Sequence, residues 1–171
     1  VPTNSPIPTP TSISIRDGEV GDIDGDGILD LIAVNGQGWL SISHGFGNGS
    51  HGNRILIDPG PGVEGLVRSL AIGDLDADGD LDAVVVGKFG VAVTYNLGAG
   101  TSWAPWLQFQ GDNYPSGNGE GQNFGGAQMV DMDNDGDLDV IAYQITNHGL
   151  WMLENIAPNA SAPVLASSLV Q

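Results

Sequence analysis

The chain has 171 residues, no cysteine and a formal net charge of −17, with 21 acidic side chains against 4 basic ones. Without cysteine there is no disulfide and no thiolate chemistry. The acidic balance argues against nucleic acid or an anionic membrane as a partner, because both would repel the chain. No apolar run approaches the roughly 18 residues of a membrane-spanning helix. The 40% content of hydrophobic residues predicts a folded domain with a core of its own.

Residues 1–12 form an N-terminal tail that is rich in Pro, Thr and Ser. This composition favours extended, polyproline-like conformations and cannot build a core. We interpret the tail as a linker open to O-glycosylation, or as a segment that docks on a neighbouring chain. The chain begins at Val1 without Met and shows no signal peptide, so we expect a processed or excised product.

The remaining chain, residues 13–171, repeats one acidic motif at residues 22–30, 74–82 and 131–139. Each copy has aspartate at positions 1, 3, 5 and 9, glycine at 6 and leucine at 8. Crowded carboxylates repel one another, and Ca²⁺, which takes about six to eight oxygen ligands, would offset that repulsion. Metal-free acidic turns are the alternative. The predicted ligands are the four aspartates and the carbonyl at position 7: Asp22, Asp24, Asp26, Ile28 and Asp30; Asp74, Asp76, Asp78, Asp80 and Asp82; Asp131, Asp133, Asp135, Asp137 and Asp139.

The helical Ca²⁺ loop of the EF-hand begins in a similar way but needs a glutamate at position 12 and a following helix. Position 12 is Ala33, Val85 or Ala142 in the three copies. Each copy is followed by a short apolar run, partly β-branched, which predicts a buried strand. The motif is therefore predicted to join two β-strands.

An Asp-x-Asp-x-Asp-Gly-x-x-Asp loop before a hydrophobic strand resembles the FG-GAP/VCBS repeat, which is found in the β-propellers of integrin α-chains and in many secreted proteins. Phe124-Gly125-Gly126-Ala127 is the segment nearest to the signature in the family name. The resemblance covers nearly the whole chain. It implies that each repeat is one four-stranded antiparallel propeller blade, with Ca²⁺ in the loop between its first and second strands.

We accordingly predict an all-β fold of three blades, at about residues 13–60, 61–115 and 116–171. Closed propellers typically have about four to eight blades. Three blades would leave apolar faces and strand edges open, so the chain is either a fragment of a larger propeller or is completed by other copies. The predicted strands are Ile13–Val20, Leu29–Val34, Trp39–Ser43 and Arg54–Asp58; Leu66–Gly73, Leu81–Val86, Val91–Asn96 and Trp106–Gln110; Gly126–Val130, Leu138–Gln144, Leu150–Asn155 and Pro163–Val170.

Little in the sequence predicts catalysis, so we expect a protein that is not an enzyme. The histidines His44, His51 and His148 lie in polar loops without the three or four convergent ligands of a zinc site, and we expect them at the surface. No Gly-x-Ser-x-Gly nucleophile elbow is present. The glutamates Glu64, Glu120 and Glu154 would form a glycosidase-like acid pair only if the fold brought two of them together.

Two further features point to glycans. Trp103 and Trp106 lie in a polar loop, where paired aromatic rings can stack on sugars, although packing in the core is the more common use of tryptophan. Asn48 and Asn159 begin Asn-x-Ser tripeptides, which are possible N-glycan attachment sites in a secreted protein.

These observations predict a secreted or cell-surface module, structural or adhesive, that contains three structural Ca²⁺ ions. We expect it to self-associate, as a filament or surface assembly, through blade edges and the tail, with glycans or surface proteins as further candidate partners. A carbohydrate-binding lectin of the propeller type is the alternative, and a non-catalytic segment of a larger secreted enzyme is a third possibility.

Overall fold

A computed structural model describes residues 14–59, 63, 67–109, 123–145 and 149–155, together with the backbone of residues 165–170. This part of the chain contains twelve β-strands and no helix, so it also contains no helix that could cross a membrane. The strands are β1 (Ile15–Gly21), β2 (Asp30–Asn35), β3 (Leu40–Ser43), β4 (Ile55–Ile57), β5 (Val67–Gly73), β6 (Asp82–Gly87), β7 (Gly90–Thr94), β8 (Leu107–Phe109), β9 (Phe124–Val130), β10 (Asp139–Gln144), β11 (Leu150–Asn155) and β12 (Leu165–Val170).

The strands form three antiparallel sheets of four strands each, and we call these sheets blade 1 (β1–β4), blade 2 (β5–β8) and blade 3 (β9–β12). In every blade, strands that follow one another in the chain are neighbours in the sheet. The prediction of an all-β, antiparallel fold with twelve strands is confirmed, with bounds shifted by a few residues. The predicted blade boundaries at 60–61 and 115–116 and the tail 1–12 lie outside the described residues.

Each second strand begins at the ninth residue of an acidic motif, one residue later than predicted. The second strand begins there because the aspartate is its first residue that pairs with the first strand. The pairs are Gly21 with Asp30, Gly73 with Asp82, and Val130 with Asp139. The acidic motif is therefore the complete connection between the first two strands of each blade, as predicted.

The hydrophobic core lies between the blades in two clusters, one at the junction of blades 1 and 2 and one at the junction of blades 2 and 3. Side chains alternate between the two faces of a strand, and β6 in the middle blade is buried on both faces. Ala83 and Val85 belong to the first cluster, whereas Val84 and Val86 belong to the second. The uninterrupted apolar sequence of this strand thus follows from its position between two other sheets.

The first strands of the three blades lie side by side, with β5 in contact with both β1 and β9. Glycines at the ends of β1 and β5 make this close approach possible. A Cβ atom at Gly21 would lie 2.7 Å from Leu81 Cδ1, and one at Gly73 would lie 2.8 Å from Met129 Sδ. Blade 3 has Val130 at the equivalent position, and its side chain is exposed.

Candidate metal loops

In all three acidic motifs the first three aspartates bring carboxylate oxygens together. In the 22–30, 74–82 and 131–139 loops, these oxygens lie within 4.8 Å of one another. The convergence has the same form in three blades that differ in most other residues. Oxygen clusters of this kind are the ligand type that hard divalent cations such as Ca²⁺ prefer.

Backbone amides hold the first and fifth positions of the motif in place. The amide N–H groups of Gly27, Gly79 and Gly136 donate to the carboxylate at position 1 over 2.8, 3.1 and 3.2 Å. The carboxylate at position 5 accepts from the amide two residues later in each loop, at 2.7, 2.9 and 3.2 Å. The loop backbone therefore orients its own carboxylates before any ligand arrives.

The aspartate at position 9 is the most enclosed member of the motif: Asp30, Asp82 and Asp139 are almost fully buried. One oxygen of each accepts from the amide at position 2 of its own loop, over 2.9, 2.9 and 3.0 Å. The other accepts from an amide at or just after the end of the third strand, over 2.8, 2.9 and 2.9 Å. Position 9 thus ties the loop to the end of the third strand.

Several carboxylate oxygens in these loops are buried and have no hydrogen-bond partner among the described residues. They are both oxygens of Asp137, one of Asp76 and one of Asp131. A buried, unpaired carboxylate is costly because it loses its hydration without compensation. The chemistry that would satisfy these oxygens is a cation bound between them, so the residues present fit a Ca²⁺ ion.

The electrostatics of the loops indicate the same deficit of positive charge. Burial raises the pKa of Asp82 to about 7, although two backbone amides that donate to it act in the opposite direction. Burial and the neighbouring Asp135 raise the pKa of Asp137 to about 6. Burial, followed by the charge of Asp78, also raises the pKa of Asp76. A cation at these sites would stabilise the charged carboxylates and lower their pKa values.

The loops turn through left-handed backbone conformations at two positions, of which the sequence signalled one. The expected glycine at position 6 has φ between 84° and 98° in the three copies. Position 4 is also left-handed, and there the residues are Gly25 (φ 75°), Ala77 (φ 59°) and Asn134 (φ 61°). Alanine is rare in this region because its Cβ approaches the following carbonyl. The turn geometry thus overrides local preference in the second loop.

His44 is not the free surface residue that the sequence suggested. Its Nδ1 atom lies 3.1 Å from Asp24 Oδ2 and 3.4 Å from Asp30 Oδ2, so it belongs to the first loop. His51 is exposed, and His148 lies outside the described residues. No sequence signal linked His44 to the loop, because 14 residues separate it from Asp30 and the contact depends on the path of β3.

Trp103 and Trp106 pack at the junction of blades 1 and 2, where both rings contact the first core cluster. The indole N–H of Trp103 donates to the carbonyl of Gly100 over 3.0 Å, and that of Trp106 donates to the carbonyl of Asp58 over 3.0 Å. Both rings therefore contribute to packing, while both side chains keep part of their surface accessible. Stacking of these rings on a sugar stays a prediction.

The remaining predicted positions are dispersed. Asn48 is exposed in the segment after β3, and its side-chain oxygen accepts from the amide of Ser50, so this sequon lies in an open turn. Asn159, Glu64 and Glu120 lie outside the described residues, and the positions of the carbonyls at Ile28, Asp80 and Asp137 relative to an ion stay predictions.

Residues 22–85 match the model of an FG-GAP-like repeat. The resemblance to the FG-GAP repeat family is thus confirmed for this segment. This segment contains the first two acidic loops and strands β2 to β5, and it supplies much of the core between blades 1 and 2. No curated protein matches the chain.

A solved structure with a similar fold is that of an Agrocybe aegerita lectin described as specifically recognising non-reducing terminal N-acetylglucosamine. The two structures share a TM-score of 0.63 and 21% sequence identity over 89% of this chain. The match covers 37% of the lectin chain, so the present chain spans little more than a third of it. At this identity the likeness establishes a shared fold.

Proposed function

We propose that this protein is a non-catalytic structural module in which three Ca²⁺ ions hold the loops of three propeller-like blades. The observation that carries the proposal is the convergence of carboxylate oxygens in all three loops. The second and third loops add buried carboxylate oxygens that have no hydrogen-bond partner among the described residues. Loops of this kind in extracellular modules bind Ca²⁺ with Kd values of about 10⁻⁴–10⁻³ M. We therefore place the protein outside the cell or on its surface, where such loops are occupied.

Isothermal titration of the chelator-treated chain with CaCl₂ tests this function. Three equivalents should bind, and the double variant Asp133→Asn/Asp135→Asn should bind two. Glu19→Gln is the control for the loss of an exposed acid, because Glu19 is exposed and lies outside the loops. Binding of no Ca²⁺, or the same loss in the control, would contradict the proposal.

We also propose that copies of the chain associate through the open faces of blades 1 and 3. Blade 3 presents Ile141, Tyr143, Leu150 and Met152 on the face that points away from blade 2, and Tyr143 and Leu150 are about half exposed. Blade 1 presents Val20 and Leu31, also exposed, on its own outer face. In blades 1 and 2 the equivalent apolar face is covered by the blade that follows in the chain. We therefore propose that the first blade of a second copy covers this face of blade 3.

The groove beside this face supports the same occupant. It has a volume of about 840 Å³ and is lined by the adjacent first strands and by Ile141, Tyr143 and Leu150. The open face of blade 3 is thus continuous with the space along the first strands. A head-to-tail contact between copies builds a ring if the rotation closes and a filament if it does not, and negative-stain electron microscopy distinguishes the two.

Sedimentation velocity over a range of concentrations tests the association. The parent chain should form larger species as its concentration rises, and Leu150→Glu should abolish them by placing a charge on the open face. Leu97→Glu is the control, since Leu97 is also an exposed leucine but lies in the β7–β8 connection. A parent chain that stays monomeric, or equal effects of the two variants, would contradict the proposed interface.

Carbohydrate binding is a second candidate, favoured by the fold shared with the lectin and by the tryptophan pair at the first junction. The ligand would be a terminal sugar such as N-acetylglucosamine, stacked on the accessible part of Trp103 or Trp106. Glycan-array binding that is lost in Trp103→Ala, but kept in Trp151→Ala at the other junction, would support it. A folded chain that binds no glycan on the array would contradict it.

A further inference from the structure

A buried asparagine crosses each junction between blades. Asn96 follows the third strand of blade 2, and Asn155 ends the third strand of blade 3. The side-chain amide of Asn96 donates to the carbonyl of Ile23 over 2.9 Å, and that of Asn155 donates to the carbonyl of Leu75 over 2.8 Å. Ile23 and Leu75 are the second residues of the acidic loops in the preceding blades. Each asparagine therefore contacts a loop that does not belong to its own blade.

The same asparagines also contact the loop of their own blade. The backbone N–H of Asn96 donates to Asp82 Oδ1, and that of Asn155 donates to Asp139 Oδ1, both over 2.9 Å. The second oxygen of each of these aspartates, and of Asp30, accepts from position 2 of its own loop. The result is one buried series of hydrogen bonds through all three loops, which runs through Asp30, Ile23, Asn96, Asp82, Leu75, Asn155 and Asp139.

Every member of this series is almost completely excluded from water. Buried backbone carbonyls and amides need a partner, because an unpaired group costs about as much as a lost hydrogen bond. A shift of the aspartate at position 9 in one loop therefore cannot occur without a change in the bonds to the neighbouring loop. Networks of this kind have the physical continuity that energetic coupling between sites requires.

We propose that Asn96 and Asn155 are positioning residues that couple Ca²⁺ binding between neighbouring loops. This inference rests on the proposed binding of Ca²⁺. Occupation of one loop fixes its aspartate at position 9, and the asparagine transmits that order to position 2 of the preceding loop. The second ion then finds a loop that is already ordered, which gives positive cooperativity.

Blade 1 supplies a natural comparison, because the residue equivalent to the asparagines is Gly45. Its backbone N–H donates to Asp30 Oδ1 over 2.8 Å, but it has no side chain to reach another loop. Asn96→Gly and Asn155→Gly copy this residue and remove the crossing bond while leaving the backbone donor in place. Both changes also remove bonds within the asparagine's own blade. The side-chain oxygen of Asn96 accepts from the amides of Gly98 and Gly100, and the side-chain amide of Asn155 donates to the carbonyl of Leu138 over 3.4 Å.

Nuclear magnetic resonance provides a reporter in each loop: the amides of Gly27, Gly79 and Gly136, each of which donates to the aspartate at position 1. CaCl₂ titrations would be recorded with the middle loop intact and with that loop weakened by Asp78→Asn. Weakening the middle loop should lower the Ca²⁺ affinity of both outer loops by about fivefold, the lower end of typical coupling between sites.

The two glycine variants then act as controls for each other. Asn96→Gly should free the first loop from the effect of Asp78→Asn, to less than a twofold change, while the third loop keeps its fivefold response. Asn155→Gly should do the reverse. Coupling of unchanged size in both variants would overturn the proposal. If the reporters of the parent chain do not respond to CaCl₂, the proposed function fails, and the coupling of cation sites fails with it.

Hydrogen exchange measured in the presence of a chelator tests the series of hydrogen bonds without Ca²⁺. It therefore separates a failure of Ca²⁺ binding from a failure of the role proposed for the asparagines. The amide of Ile23 should exchange at least about tenfold faster in Asn96→Gly, because the loop loses the bond that fixes this residue. The amide of Leu75 should respond in the same way to Asn155→Gly only. Equal acceleration of both amides in either variant would indicate general loosening and would overturn the role of the asparagines.

Discussion

Blades 1 and 3 have the same residue types at two equivalent positions, but they bury them to different extents. Leu40 in blade 1 is fully buried at the junction with blade 2, whereas Leu150, at the equivalent place in blade 3, is 48% exposed. Ile32 is likewise buried, and its counterpart Ile141 is only partly covered. The sheets have the same register at these positions. The difference therefore arises from the neighbouring blade.

This comparison shows that the same face of a blade carries apolar residues whether or not a neighbouring blade of the chain packs against it. The end of the first strand makes the same point. Gly21 and Gly73 allow the next blade to approach closely, and Val130 stands in their place in blade 3. Hydrophobic burial stabilises in proportion to the apolar area removed from water. Leu40 should thus contribute much more to the free energy of unfolding than Leu150.

The largest expected effect is the loss of the ions that we propose for all three blades. With a Kd of about 0.1 mM and about 2 mM free Ca²⁺, mass action stabilises the fold by roughly 1.8 kcal/mol per site and roughly 5 kcal/mol in total. For a chain of this size, that corresponds to a melting temperature lower by about 10–20 °C in EDTA. Differential scanning calorimetry measures it, and the same melting temperature in EDTA and in Ca²⁺ would refute structural calcium.

Truncation of the matched leucines tests the comparison itself. Leu40→Ala should cost about 3 kcal/mol, because it leaves a cavity in the first core cluster. Leu150→Ala should cost less than about 1 kcal/mol in dilute protein, since it removes a side chain that is already half exposed. Urea denaturation in Ca²⁺ gives both values. Equal costs would mean that the outer face of blade 3 is as closely packed as the junction.

The glycine at the end of β5 provides the next test. Gly73→Val introduces a side chain whose Cβ would lie within 3 Å of Met129 and Leu138, so we expect a loss of about 2 kcal/mol from overpacking. Val130→Gly, at the open end, should lower stability by less than about 1 kcal/mol, mainly through backbone entropy. Thermal denaturation of both variants would sharpen the comparison, and a harmless Gly73→Val would break it.

The smallest effect concerns position 4 of the acidic loops. Gly25→Ala should destabilise the first loop by about 1 kcal/mol, because alanine is strained in the left-handed conformation. Ala77→Gly relieves the same strain in the second loop, but glycine also gains freedom in the unfolded chain, so we expect stabilisation of about 0.5 kcal/mol. Denaturation in Ca²⁺ measures both changes, and effects of the same sign would contradict this assignment.

The features that the sequence predicted are those written in short-range patterns. Short, partly β-branched apolar runs after the acidic motifs predicted the strands that follow them, and the aspartate pattern predicted loops that join two strands. The contacts of His44 and Asn155 could not be predicted. The side-chain bond from Asn155 to Leu75 spans 80 residues and depends on the relative register of two sheets. The left-handed conformation at Ala77 is one that alanine disfavours, so the local sequence offered no reason to predict it.

Crystal diffraction from protein grown in CaCl₂, with data collected at a wavelength where calcium scatters anomalously, tests the central claim most directly. We predict three anomalous peaks, one in each acidic loop, coordinated by the aspartates at positions 1, 3 and 5. Maps that show the loops ordered as described, with no anomalous peak among those carboxylates, would contradict it.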